Sequence, residues 1–456
     1  MAVADVSRSM PTLALRAGVA GTITVSVEEL GGRPVVLARS QPGAHKGALD
    51  QRSGESLAHA ATTALKYRLP LVAVLASSGA DVDDGVAALH GWGTAARAFA
   101  RCSGVVPIMI AVTGPTVSGP ALLLGMADIV VATEGASAYV VGPQAVADFT
   151  GERLTAEALG GAGSLRRNSG VVAGVVADEA AALDLLSAIL SHFPDSCDDA
   201  PPRWPTADPV DRLTPELGDL VPASATGSYD VRDVARGIVD DGELLDLWGG
   251  WAPNLVTALG AIDGRPIGIV ANQPISLAGT LDIPASQKGA RFVELCDAFN
   301  FPILTLVDTP GFFPGKDLEW RGMIRHGAQL VAAYARATVP RVCLVLRKAY
   351  GGAYIVMDSR RMGNDICLAW PVAELAVMGA KGAVEILHRR STPEERAQAE
   401  ADYAIELLTP WVAAERGYVD DVISPAETRI KVAAAFEVLD SKREALSARS
   451  HDNLPL

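Results

Sequence analysis

One pattern occurs twice in this chain, about 235 residues apart, and it limits the fold more than anything else in the sequence. An apolar strand runs into a Gly-containing turn, LPLVAVLASSG in the first half and FPILTLVDTPG in the second. A second strand follows, VVPIMIAVTGP and then VPRVCLVLRKAYGG. Residues 118–132 (SGPALLLGMADIVVA) and 351–370 (GGAYIVMDSRRMGNDICLAW) each lead from small residues through a helix-like segment to a strand opening on Asp-Ile. YVVGPQAV and AVMGAKGAV close the two copies. The spacing far exceeds a solenoid repeat, so it predicts an α/β domain present in duplicate. The copies are placed at residues 1–205 and 226–456. Between them, residues 193–226 are crowded with Pro, Asp and Ser and read as a linker or a long excursion.

Composition removes several functions. A formal charge of -14 and a pI near 5.0 argue against nucleic acid as a partner, because such binding rests on phosphate neutralisation. Cys102, Cys197, Cys296, Cys343 and Cys367 form no C-x-x-C pair, so they read as small buried hydrophobes in a reducing compartment. Residues 1–16 lack a basic segment followed by an apolar stretch, and no run of 18 apolar residues occurs. The expectation is a soluble cytoplasmic protein with no membrane segment and no metal.

Catalytic side chains are scarce. H-E-x-x-H, G-x-S-x-G, the P-loop and the dinucleotide fingerprint are all missing. His326 and His388 stand beside Arg325 and Arg389, a pattern of solvated helix surface. What recurs is a strand entering a helix through small residues: Thr116-Val117-Ser118-Gly119, and Ala349-Tyr350-Gly351-Gly352-Ala353. Such a helix start leaves main-chain N–H groups unpaired with the positive end of the dipole behind them. Small residues let a carbonyl oxygen approach to about 3 Å, which makes an oxyanion hole. A single turn of this kind reads more readily as a ligand-free connection. Two at matching places in a duplicated domain favour a reaction with two anionic carbonyl partners, of which carboxyl transfer is one.

The same residues resemble the carboxyltransferase β subunits of biotin-dependent acyl-CoA carboxylases. Residues 229–274 resemble that family's entry to its second domain. KGARFVELCDAFNFPILTLVDTPGFFPG, RHGAQLVAAYARATVPRVCLVLRKAYGGAYIVM, AWPVAELAVMGAKGAVEIL and PWVAAERGYVDDVI follow in the family's order. GPTVSGPALLLGMADIVV and ALGGAGSLRRNSGVV match it more loosely in the first half. The resemblance implies two tandem crotonase-like domains, the first binding acyl-CoA and the second carboxybiotin, with active sites between subunits of a hexamer, homomeric or mixed. It assigns Ser118 and Gly119 to the thioester carbonyl, and Gly352 and Ala353 to the biotin ureido oxygen. Ile355 falls where the family sets acyl selectivity, which implies acetyl-CoA first, giving malonyl-CoA, and propionyl-CoA second, giving methylmalonyl-CoA.

Departures cluster in the first half. SSGADVDDG replaces the family's S-G-G-A-R-x-x-E-G, VSGP replaces A-G-G-A, and Leu165 stands where a His is frequent. Pro120 has no N–H to donate. Lys381 lacks the flanking methionines of a biotinylation site and no ATP-binding unit precedes it, so biotin would arrive on a separate α subunit carrying the biotin carboxylase and the biotin carrier. Two alternatives stay open: a biotin-dependent decarboxylase or transcarboxylase subunit, and a non-catalytic subunit of a mixed complex.

Overall fold

Two eight-stranded sheets carry the chain, one in each of two units, Met1–Pro202 and Arg203–Leu456. The computed structural model describes residues 12–15, 21–43, 45–222, 224, 226–442 and 444–448. The expectation about residues 1–16 falls mostly outside them. Among the described residues, no helix is long and apolar enough to cross a membrane.

In the first unit the strands are β1 (Leu13–Ala14), β2 (Ile23–Leu30), β3 (Arg33–Ser40), β4 (Leu71–Ser77), β5 (Ile108–Val117), β6 (Ile129–Thr133), β7 (Ser137–Tyr139) and β8 (Gly174–Val176). Their order is β1-β2-β3-β4-β5-β6-β8, with β7 beside β5. In the second unit they are β9 (Leu245–Leu247), β10 (Leu255–Ile262), β11 (Arg265–Asn272), β12 (Ile303–Thr309), β13 (Arg341–Tyr350), β14 (Ile366–Ala369), β15 (Glu374–Ala376) and β16 (Asp421–Val422). The order β16-β14-β13-β12-β11-β10-β9, with β15 beside β13, repeats the first arrangement.

Local chemistry explains the repetition. Each sheet opens on a hairpin whose two turn residues are left-handed, Gly31-Gly32 (φ 59 and 79) and Asp263-Gly264 (φ 54 and 67). A helix then starts at an aspartate cap: Asp50 accepts from the Ser53 N–H, and Asp282 from the Ala285 N–H. The parallel strands β4 and β12 are buried along their whole length, as strands covered on both faces must be. The aspartate of each Asp-Ile pair anchors the start of the neighbouring strand. Asp128 accepts the Ile108 N–H at 2.8 Å, and Asp365 accepts the Arg341 N–H at 2.8 Å.

Both sheets break register at the same place. Pairing passes from Leu75↔Val112 to Ser77↔Thr116 in one, and from Val307↔Val345 to Thr309↔Ala349 in the other. The longer side of each bulge delivers the chain into the small-residue turn.

Residues 203–222 belong to the second unit. Arg429, fully buried, donates to the carbonyls of Pro209 (3.1 Å), Asp208 (3.3 Å) and Ile238 (2.7 Å), and pairs with Asp240 at 2.6 Å. The Thr214 N–H reaches the Ala426 carbonyl at 2.8 Å. A buried guanidinium is tolerable only with such a full set of acceptors.

Candidate active site

The second turn opens onto a cavity of about 680 Å³ lined by Gly351, Gly352, Ile355, Leu375, Leu407 and Tyr418 among others. Tyr350 ends β13 and caps the helix Gly351–Val356, with Gly351 left-handed at φ 62. A side chain at Gly351 would be strained by that φ and would lie 3.2 Å from the Val377 carbonyl. Gly352 differs, because a methyl group there would meet only the Phe312 ring at 3.7 Å. Among the described residues nothing else lies within 4 Å of that position, so packing does not require a glycine at 352, and Gly352 lines the cavity. Ala353 is fully buried and does not line the cavity with its side chain. Its N–H lies in the first turn, where no intrahelical acceptor exists. Ile355 is 43% exposed and lines the cavity.

A buried charge network supports this turn. Asp308, wholly buried on β12, accepts from Tyr229 Oη (3.0 Å), Arg347 Nε (3.0 Å) and the Lys348 N–H (3.2 Å). It thereby clamps the bulged end of β13 just before Tyr350. Burial and the Asp308 charge push the Tyr229 hydroxyl far up, so it stays protonated and donates. Burial also lowers Lys348, whose ammonium lies 3.9 Å from Asp308. Tyr350 Oη donates to Glu374, and burial together with that carboxylate raises it as well. At the far end of the helix, Asp358 is held by Arg341 (2.6 Å) and Asn364 (3.0 Å).

The first turn corrects part of the expectation. Ser118 has the same left-handed backbone, φ 61, and its N–H is taken by the Tyr139 carbonyl at 2.9 Å. It is therefore not an available donor, because the β5–β7 pairing carries on into the turn. Pro120 stands at the position of Ala353 and has no N–H. Gly119, between them, keeps its N–H at the first position of the helix Gly119–Met126. Its lack of a side chain has a local cause, since a methyl group there would lie 2.9 Å from the Trp92 ring.

Other sequence candidates sort plainly. His388 is exposed, whereas His326 is half-buried and bonded to Gln287 and Gln329, both at 3.2 Å. Cys102, Cys296, Cys343 and Cys367 are buried and Cys197 is half-buried. Burial pushes the Cys102 thiol up to about 12. His45, Asp81 and Asp83 bring potential ligand atoms within 4.8 Å of one another, in an acidic surface group of a common kind.

Sequence reasoning missed the Asp308 network and a second duplicated feature. His45-Lys46-Gly47 (φ 46, 51, 69) and Leu277-Ala278-Gly279 (φ 48, 53, 74) are runs of left-handed residues ahead of the aspartate caps. The phrase G-x-L-D, GALD at 47–50 and GTLD at 279–282, was the available signal.

Comparison with known proteins places this geometry. The carboxyl transferase domain model matches residues 13–454. The propionyl-CoA carboxylase beta chain of Saccharopolyspora erythraea is 44% identical over 429 residues, covering 90% of this chain and 79% of that one. The biotin-dependent acetyl-/propionyl-coenzyme A carboxylase beta5 subunit of Mycobacterium tuberculosis is 40% identical over 443 residues, 93% of this chain and 81% of that one. Transcarboxylase 12S, a hexamer solved with methylmalonyl-coenzyme A and methylmalonic acid bound, matches with a TM-score of 0.94 at 40% identity, covering 95% of this chain and 85% of that one. The two duplicated units are thus crotonase-like, and the chain belongs to the carboxyltransferase β subunit family of biotin-dependent acyl-CoA carboxylases.

Proposed function

We propose that this chain transfers a carboxyl group from carboxybiotin, carried by a separate α subunit, to the α-carbon of a short acyl-CoA, propionyl-CoA or acetyl-CoA. The observation that carries the reading is the open main chain at Gly352, set at a helix start on a cavity large enough for a small ligand. The N–H groups of Gly352 and Ala353 hold the ureido oxygen, and the Gly119 N–H holds the thioester carbonyl. Bound carboxybiotin supplies the carboxyl group itself. Arg166 and Arg167, exposed and without ion-pair partners among the described residues, offer positive charge for CoA phosphates on the first unit. The hexamer of transcarboxylase 12S is the assembly we extend to this chain.

Ile355 bears on acyl selectivity because it reaches the cavity with an apolar branched side chain. The relatives named above are propionyl-CoA and acetyl-/propionyl-CoA carboxylases, so both thioesters are retained as substrates. The test is reconstitution with a biotinylated carrier, biotin carboxylase, ATP and bicarbonate over a panel of acyl-CoAs. Carboxylation of propionyl-CoA and acetyl-CoA is expected, with Ile355→Asp changing the kcat/KM ratio between them by about 5-fold or more. A folded assembly that carboxylates neither thioester would refute the assignment. An unchanged ratio in an active Ile355→Asp protein would remove Ile355 from selectivity.

A further inference from the structure

The phrase KGARF opens on a lysine that the fold buries and that the main-chain donors leave unexplained. Lys288, on the helix Ile283–Ala298, is 2% exposed. Its ammonium donates to four main-chain carbonyls, those of Leu255 (2.8 Å), Trp251 (3.0 Å), Trp248 (3.1 Å) and Ala252 (3.5 Å). The charged groups facing it from the elements around it are Asp246 on β9 and Arg232 on the helix Val231–Ile238, which pair with each other at 2.7 Å. The carbonyls therefore hold the charge. They belong to the connection between β9 and β10, in which Trp248 (φ 57) and Ala252 (φ 44) are left-handed without being glycine. A backbone of that kind persists only where its surroundings fix it.

The same helix grips this connection a second time. Asn254, 1% exposed, donates from Nδ2 to the Thr280 carbonyl at 2.8 Å and to the Asp282 carboxylate at 3.1 Å, and Asp282 caps the helix that carries Lys288. From there the contacts run to the second turn. The Leu281 N–H donates to the Gly311 carbonyl at 3.2 Å, and the Leu281 carbonyl accepts from the Phe313 N–H at 2.8 Å. Phe312, between them, carries the ring that a methyl group on Gly352 would meet. Gly279 lies so close to Asp308 that a methyl group on it would stand 2.5 Å from the Asp308 carbonyl. Residues 279–282 thus touch both the ring beside Gly352 and the residue whose carboxylate clamps β13. In the first unit the matching position, six residues after the Asp50 cap, is Ser56, whose hydroxyl turns back to the Arg52 carbonyl at 2.9 Å. The charge is not part of the duplicated scaffold.

We propose that Lys288 is a positioning residue for carboxyl transfer: its ammonium holds the β9–β10 connection and, through Asn254 and Leu281, sets the segment that backs the Gly352 donor. The proposal rests on the carboxybiotin reading given above. Burial lowers the Lys288 ammonium to about 8, while Asp246 acts to raise it and Arg232 to lower it further. The charge is lost as pH rises through that value, which takes one N–H from the carbonyls and turns a lone pair toward them.

The test is reverse transfer from methylmalonyl-CoA to free biotin by the assembled protein, followed between about pH 7 and pH 9.5; it needs no α subunit. Wild-type kcat is expected to fall about fivefold as pH rises through 8, with KM for methylmalonyl-CoA held within about twofold. Lys288→Met occupies similar space with no charge and no donor; its kcat at pH 7 is expected to be about tenfold lower, and the alkaline fall disappears. Lys288→Arg stays charged throughout, so transfer is retained and the fall moves above about pH 10. A wild-type rate that does not fall overturns the proposal, as does the same fall in either variant or a wild-type rate at pH 7 in Lys288→Met. A parallel rise in KM for methylmalonyl-CoA marks a general loosening and also overturns it. Should Lys288→Met not fold, the Lys288→Arg profile decides. Absence of transfer by the folded wild-type assembly at every pH overturns the carboxybiotin reading, and the proposal with it.

Discussion

The two turns share a backbone path and differ in what holds it. Ser118 and Gly351 have φ 61 and 62, and the same bulge feeds both. Beneath the second turn, Asp308 and Arg347 form a buried ion pair at 2.9 Å. The matching positions in the first unit are Ala76 and Gly114, packed so closely that a methyl group on Gly114 would lie 3.1 Å from Ala76 Cβ. Close apolar packing and a buried charge pair thus produce one geometry. The donors that result are unequal: Gly352 and Ala353 both keep an N–H, whereas beside Gly119 stand a committed Ser118 and a proline. A duplicated scaffold preserves a main-chain path more faithfully than the chemistry of its N–H groups.

The largest expected effect is on stability. Arg347→Ala strands Asp308 and is expected to cost the second unit about 3 to 5 kcal/mol. Asp308→Ala with Arg347→Gly, which installs the first unit's own pair, is expected to recover part of that loss. Chemical denaturation measures both, and a cost below about 1 kcal/mol for Arg347→Ala would show that the ion pair is not what holds the turn.

Next in size is the donor asymmetry. Ala353→Pro deletes an N–H and is expected to slow transfer by about 10²-fold, whereas Ala353→Ser is mild. Pro120→Ala restores an N–H to the first turn and is expected to raise kcat/KM for the acyl-CoA by up to about tenfold. Equal indifference to Ala353→Pro and Pro120→Ala in folded protein breaks the comparison.

The smallest effect concerns the left-handed position. Ser118→Gly relieves a strained backbone and is expected to stabilise the first unit by about 1 kcal/mol, while Gly351→Ser costs the second unit a similar amount. Opposite signs in thermal or chemical unfolding sharpen the comparison, and like signs contradict it.

Much of this was readable in the sequence, because strands buried on both faces and Asp-Ile starts are local signals. Gly352 was legible as a residue of a helix start after an apolar strand, whereas Ile355 was singled out only by the family resemblance. The limit comes where one segment's role depends on another. Ser118 reads as a free donor until β7 is laid beside β5 and Tyr139 takes its N–H. Asp308 and Arg347 lie 39 residues apart, and no periodicity pairs them. The left-handed residues at 45–47 and 277–279 share only their final glycine, so the short phrase G-x-L-D that it opens is the one trace of the match in the sequence. Pro, Asp and Ser between 193 and 226 signal an excursion correctly, but not where it docks.

That docking has a consequence for the order in which the chain is made. Arg429 binds the Pro209 carbonyl across 220 residues, and Arg203 meets Asp440 at 2.6 Å. The ribosome delivers residues 203–226 long before the helix Thr428–Leu439 that fastens them. Contacts with earlier parts of the unit can form first, the Trp204 N–H to the Gly264 carbonyl at 3.1 Å and the Asp241 N–H to Asp208 at 2.9 Å, and Arg429 completes the set last. The second unit closes on itself only when nearly all of it has been made, so its folding ends on a contact between its beginning and its end.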